Sequence, residues 1–200
     1  VPFRMPKFQK EQLEQLADTA PAQIVAYVLN LFFSCDLTAS DVESASAHRP
    51  VECVPLGRRL LAAELWHNSD GDISRTVRRL SDRICGEKRG VIPSNWMQIA
   101  VRIALLFASY GRLLSANQLR VHRLFDVAVT SGDFAMPMAV WYARQMGLPI
   151  GNIICGCNSN GGFWDLLNRG EFSTGDIVTD TSTPEADIVV PRNLERLICA

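Results

Sequence analysis

The order of elements across residues 124–169 constrains this fold more than any other feature. Leu124–Val129 predicts a strand, and Thr130–Phe134 is a turn built on Gly132. Pro137–Met146 has helical character and is closed by Gly147-Leu148-Pro149. Asn152–Cys157 predicts a second strand, Asn158–Gly162 a loop, and Phe163–Arg169 a second helix. Strand, loop, helix, repeated once, is the pattern of a parallel sheet flanked by helices, an α/β fold. In such sheets ligands bind at the loops that follow the carboxyl ends of strands, which directs attention to 130–135 and 158–162.

The rest of the chain reads differently. Residues 9–33 predict helix, with Ile24, Val25, Val28, Leu29, Phe32 and Phe33 at helical spacing and Pro21 suited to a first turn. Thr38 predicts a cap for a short following helix. Val51–Leu56 and Leu60–Trp66 predict strands, or a strand and a loop, around Pro55-Leu56-Gly57. Residues 74–84 predict a helix whose basic face (Arg75, Arg78, Arg79, Arg83) is solvated. Gly86–Gly90 is a polar break, and Asn95–Leu114 a long apolar helix. The expected division is a helical N-terminal region, 1–50, and an α/β domain, 51–200.

Bulk properties exclude several classes. A net charge of −1 over 200 residues gives no electrostatic pull toward nucleic acid or an anionic membrane. No run of about 18 apolar residues is seen, so no membrane span is expected. The start has no apolar stretch followed by a cleavage site, so no secretory leader is expected and the cytoplasm is the expected compartment. Six cysteines, at 35, 53, 85, 155, 157 and 199, are too sparse for a disulfide scaffold and predict reduced thiols. Cys155 and Cys157 form the one close pair, without zinc-site spacing or a second pair, so no metal is expected. Only three lysines occur, at 7, 10 and 88, which leaves few candidates for any lysine chemistry.

Of the two loops, Thr130–Ala135 places small residues before a helix, where backbone N–H groups can approach an anion. Asp133 acts against that, and reads equally as a helix cap. Asn158–Gly162 is polar, and either holds side-chain amides toward a ligand or is an ordinary turn. His67, after Trp66, is a candidate base or a packed histidine. No Ser/His/Asp arrangement or Walker-type loop is present.

Taken together, these motifs resemble the threonine synthases, fold-type II pyridoxal-phosphate (PLP) enzymes. TSGDFAMPMAVWYARQMGLPI, residues 130–150, is similar to that family's phosphate loop, helix and closing Met-Gly-Leu-Pro-Ile. Residues 153–172 resemble its following strand, Asn-x-Asn loop and helix. Ala186-Asp187-Ile188 and Pro191–Arg196 resemble a later segment, Ser94-Asn95-Trp96 the start of its long helix, and Glu64–His67 its Glu-Leu-Phe/Trp-His. The resemblance implies PLP as cofactor and O-phosphohomoserine, converted to threonine, as substrate. It implies cofactor contacts from Ser131, Gly132, Asp133, Phe134 and Ala135, and substrate contacts from Asn158 and Asn160.

The departures point the other way. The Schiff-base lysine falls on Ser74 and its neighbouring aspartate on Arg75. Serine has no amine and cannot form an imine. The phosphate loop carries Asp133 for asparagine and Ala135 for glycine, adding a charge and a Cβ. The family's Ser-Gly-Asp-Thr-Gly substrate loop has no counterpart. The expectation is a threonine synthase-like protein with impaired catalysis. One alternative is part of a larger active enzyme, against which Ser74 argues. Another is a non-catalytic binding or scaffold protein, either a homo-oligomer or paired with a full-length homologue.

Overall fold

A computed structural model describes residues 5–47, 51–64, 73–86, 94–171 and 177–198. His67, Lys88 and most of the Glu64–His67 and Gly86–Gly90 segments lie outside the described residues. The chain is α/β and divides into two compact units. The first comprises 1–123 with 142–149, the second 124–141 with 150–200.

The first unit is mainly helical: α1 (Lys10–Gln15), α2 (Pro21–Phe33), α3 (Ala39–Ala45), α4 (Ser74–Cys85) and α5 (Ser94–Ser115). Pro21 occupies the first turn of α2, where its missing N–H has no partner to lose. The helix ends at Ser34 in the left-handed region (φ 47°). Beyond it, Asn30 replaces the lost ladder. Its Oδ1 accepts from Leu37 N at 2.9 Å, and its Nδ2 donates to Leu37 O at 2.9 Å.

Thr38 caps α3 as expected. Its Oγ1 accepts from Asp41 N at 3.2 Å, while Asp41 Oδ2 accepts from Thr38 N at 2.9 Å. The basic face of α4 is only partly solvated. Arg83 Nε reaches Asp41 Oδ1 at 2.9 Å, and Arg79 donates to the carbonyls of Ser44 and Ala45, the last turn of α3.

The core of this unit is α2 against α5. Ile24, Val28 and Leu29 are buried with Met97, Ile99, Ile103 and Phe107. The approach is close at Gly111. A Cβ there would lie 2.7 Å from Ile24 Cδ1 and 2.7 Å from the Leu16 carbonyl oxygen. By length and composition Trp96–Ser115 could cross a membrane, with mean hydropathy 1.3, which the expectation of no such run had passed over. Here 78% of that window is buried in protein, so it is a core helix. Phe8 stacks on Phe107 with centroids 4.4 Å apart, and its N–H donates to Met146 O at 2.8 Å. Gly147 (φ 117°) allows this, since a Cβ there would sit 3.0 Å from Phe8 O. Trp96 meets Tyr142 edge-on at 5.6 Å. A short antiparallel hairpin, β1 (Glu52–Pro55) with β2 (Leu61–Glu64), completes the unit.

The second unit holds the parallel pair, β3 (Phe125–Thr130) and β4 (Ile150–Gly156), with α7 (Gly162–Arg169) and α8 (Leu194–Ile198). Helix α6 (Ala135–Gln145) starts in this unit, and its last turn counts with the first. The register slips by one residue between Phe125↔Ile150 and Val127↔Ile153. Asp126 absorbs the slip: its Oδ1 accepts from Asn152 N at 2.8 Å and from Asn152 Nδ2 at 3.2 Å. Gly151 makes room, since a Cβ there would lie 2.7 Å from that oxygen.

Candidate functional site

Both loops singled out from the sequence follow the carboxyl ends of the parallel strands, 131–134 after β3 and 157–161 after β4. They are joined at their base, where Ser131 N donates to Gly156 O at 2.8 Å. Ser131 is buried.

The first loop is held by its own groups. Gly132 and Phe134 both have positive φ, 42° and 67°. For phenylalanine that conformation is costly and persists only where surroundings enforce it. Its buried ring is set against Phe163 at 5.3 Å, and its N–H donates to Ser131 O at 2.7 Å. Asp133 Oδ1 accepts from Ala135 N at 3.0 Å, a local carboxylate–backbone turn at the start of α6. The N–H groups of Ser131, Phe134 and Ala135 are therefore engaged within the protein. The Asp133 carbonyl is held in turn by Asn193, fully buried, through its N at 3.2 Å and Nδ2 at 3.1 Å. Asn193 lies in a segment the resemblance picks out, but nothing local in the sequence marks it as the clasp of a loop 60 residues earlier.

The second loop is tied to the segment 177–187. Asn158 Nδ2 donates to Asp187 Oδ1 at 2.7 Å and to the hydroxyls of Thr181 and Thr183 at 3.1 and 3.2 Å. Asn160 makes a two-way pairing with Thr179: Nδ2 donates to its carbonyl at 2.8 Å and Oδ1 accepts from its N at 2.8 Å. Asn160 Nδ2 also reaches Asp187 Oδ1 at 3.0 Å. Asp187 is the hub of this junction. It accepts further from Thr181 N at 2.9 Å and Thr181 Oγ1 at 2.6 Å. The Thr181 hydroxyl and amide, with help from Asn158 and Asn160, lower the Asp187 pKa. Sequence reasoning named both asparagines but not Asp187 as their partner.

Beside this junction is an open cleft of about 370 Å³, lined among others by Cys157, Ser159, Trp164, Asp165, Ile177 and Val189. Cys157 is exposed, whereas Cys155 is half-buried, and burial together with the neighbouring Cys157 pushes its thiol pKa up to about 11. Among the described residues no group of three or more His, Cys, Asp or Glu side chains could hold a metal ion.

The loops stand where α/β folds bind ligands. No family model matches the chain. Threonine synthase of Eremothecium gossypii is 36% identical over 104 residues, which is 52% of this chain and 20% of that protein. Threonine synthase-like 1 of Mus musculus is 30% identical over 103 residues, 51% of this chain and 14% of that protein. Over about half its length the chain is similar in sequence to threonine synthases and threonine synthase-like proteins. It spans a fifth or less of the length of these curated relatives.

The fold agrees over nearly the whole chain. PLP-bound threonine synthase from Brucella melitensis superposes with a TM-score of 0.81, covering 99% of this chain and 62% of that one at 16% identity. Threonine synthase from Escherichia coli gives 0.73, covering 98% and 66% at 15% identity. The architecture is thus the fold of a PLP-bound threonine synthase, carried by a chain that corresponds to about two thirds of it.

Proposed function

We propose that this chain is a threonine synthase-like protein that keeps the family scaffold without its chemistry. The observation that carries the reading is Ser74, the first residue of α4, at the position where the resemblance puts the Schiff-base lysine. A hydroxyl cannot condense with an aldehyde to give an imine, and it cannot take the lysine's part as a base near neutral pH. Among the described residues the lysines are Lys7 and Lys10, both exposed on the N-terminal segment and away from either loop in the chain.

The loop geometry supports the same reading. A phosphate needs free N–H donors at the start of α6, but those of Ser131, Phe134 and Ala135 are already engaged. The Asp133 carboxylate stands among them and would repel a dianion. Three N–H groups already engaged and a carboxylate among them both act against a bound phosphate at 131–135. The amides of Asn158 and Asn160 are spent on Asp187 and on 179–183, which leaves them no free donor for an amino-acid substrate in this arrangement. The proposal extends to O-phosphohomoserine: it is not converted to threonine by this chain.

The test is an absorbance spectrum of the purified chain with added PLP, followed by borohydride and peptide mapping. The expected result is the spectrum of free aldehyde and no covalent adduct. A trapped adduct on any lysine, or threonine formed from O-phosphohomoserine, refutes the reading.

A second reading rests on the outer face of the parallel pair. Parallel sheets are ordinarily covered on both faces, yet Ile154 of β4 is 55% exposed. That favours a non-catalytic scaffold that pairs with another copy or with a full-length homologue. Its test is the mass of the purified particle, alone and mixed with a complete threonine synthase. A monomer in both conditions removes it.

A further inference from the structure

The Asn158–Gly162 loop contains the single Asn-Gly pair of the sequence, Asn160-Gly161. Glycine after asparagine leaves the following backbone nitrogen unobstructed and free to take unusual φ and ψ, so that nitrogen can reach the asparagine side-chain carbonyl. In an open chain this is the route to loss of the side-chain amide. The fold holds it off. Asn160 is only 7% exposed. Both ends of its amide are fixed, Nδ2 on Thr179 O and Asp187 Oδ1, and Oδ1 under Thr179 N. To turn Cγ toward the Gly161 nitrogen, the side chain must first give up all three hydrogen bonds, which are its own share of the hold on 177–187 beside that of Asn158.

We propose that Asn160 is a latent deamidation site, shielded while 177–187 is docked and modified when that segment opens. The step is balanced with water alone. The Gly161 nitrogen attacks Asn160 Cγ, a C–N bond forms, and the bond to the side-chain nitrogen breaks. The displaced nitrogen leaves as ammonia, carrying the Gly161 N–H proton. Water then opens the cyclic imide at either carbonyl, leaving aspartate or isoaspartate. No oxidant, reductant or enzyme is required.

The product cannot rebuild the junction. A carboxylate at 160 places oxygen where Nδ2 stood, 2.8 Å from the Thr179 carbonyl and 3.0 Å from Asp187 Oδ1, so two acceptors lose their donor and two negative charges meet. The isoaspartate form also adds a methylene to the backbone beside Gly161. That position is already tight, since a Cβ on Gly161 would meet Cys157 Sγ at 3.0 Å and Asn158 O at 3.3 Å. Modification therefore makes opening permanent, so the extent of conversion records the time the segment has spent undocked.

The experiment incubates the full chain at mildly alkaline pH, native and in urea, and follows the Asn160 peptide by mass and charge. Conversion at Asn160 is expected in urea, with the native rate lower by about tenfold or more, in proportion to the opening seen by hydrogen exchange at the Thr179 and Thr181 amides. Equal rates in the two conditions, or no conversion in urea, overturn the proposal. The Asn160→Asp variant is expected to speed exchange at those two amides about tenfold while amides of α2 and α5 keep theirs. Unchanged protection at Thr179 and Thr181 overturns it. If that variant does not fold, the deamidated fraction of the unsubstituted protein, separated by charge after long native incubation, gives the same exchange readout.

Discussion

Gly111→Ala sets two effects against each other with known sizes. Gly111 lies inside α5, where alanine is intrinsically better by about 1 kcal/mol because glycine surrenders more backbone freedom. On propensity alone the substitution stabilises. The packing opposes this. The new methyl would sit 2.7 Å from Ile24 Cδ1 and 2.7 Å from the Leu16 carbonyl oxygen, both far inside van der Waals contact. The isoleucine tip can rotate away, but the carbonyl belongs to backbone and moves only with the chain around it. Overpacking of this kind costs about 1–3 kcal/mol, and a backbone obstacle places it in the upper part of that range. The net expectation is destabilisation by about 1–2 kcal/mol. For a chain of this size that lowers Tm by roughly 2–8 °C. Thermal unfolding followed by circular dichroism measures it. Ile24→Val removes Cδ1, so the double variant is expected to be more stable than the sum of the singles predicts. A Gly111→Ala protein as stable as the original, or more so, would refute the claim that α2 and α5 approach too closely here for a side chain.

Two further outcomes follow from the electrostatics. The Asp41 carboxyl, held by the Thr38 hydroxyl and amide and then by Arg83, titrates at about 2, below its unfolded value of about 3.9. A lowered folded pKa means its contribution is complete above about pH 4 and is lost as pH falls toward about 2, so Asp41→Asn should flatten that part of a Tm-versus-pH curve and leave the curve near neutrality parallel. Alkylation of the native protein near neutral pH, mapped by mass spectrometry, should label exposed Cys157 well before Cys155, whose thiol ionises only near about 11; equal labelling would contradict the burial assigned to Cys155.

The strand–loop–helix repeat at 124–169 was legible because each element carries its own local signal: short strand-forming stretches, glycine turns and a Gly-Leu-Pro stop. The Thr38 cap was legible for the same reason, although its reciprocal partner Asp41, three residues on, emerges only in the structure. The register slip in β3–β4 was not. Its one local trace is Gly151, just before the strand expected at Asn152, and the group that settles the slip is Asp126, on the other strand. The site divides in the same way. The two loops and their asparagines stand out as polar, glycine-rich segments after strands. That the Asn160 amide is spent on an aspartate 27 residues later could not be read, because hydrogen-bond partners at that distance are set by packing and not by spacing. The long helix at 94–115 shows the reverse: its apolarity is plain, but only its burial separates a core element from a membrane-crossing one.

The way Phe8 is held bears on how this protein can be made. Its backbone amide closes on Met146, and Trp96 closes on Tyr142, so the helical unit recruits eight residues that are synthesised only after the first parallel strand. On the ribosome, residues 1–123 emerge with Phe8 able to meet Phe107 and Trp96 able to meet Phe32, but without the Met146 and Tyr142 contacts until 142–149 have cleared the exit tunnel. A cut at the 123/124 boundary would therefore take 142–149 from the helical unit, which completes its packing late although most of it is translated first.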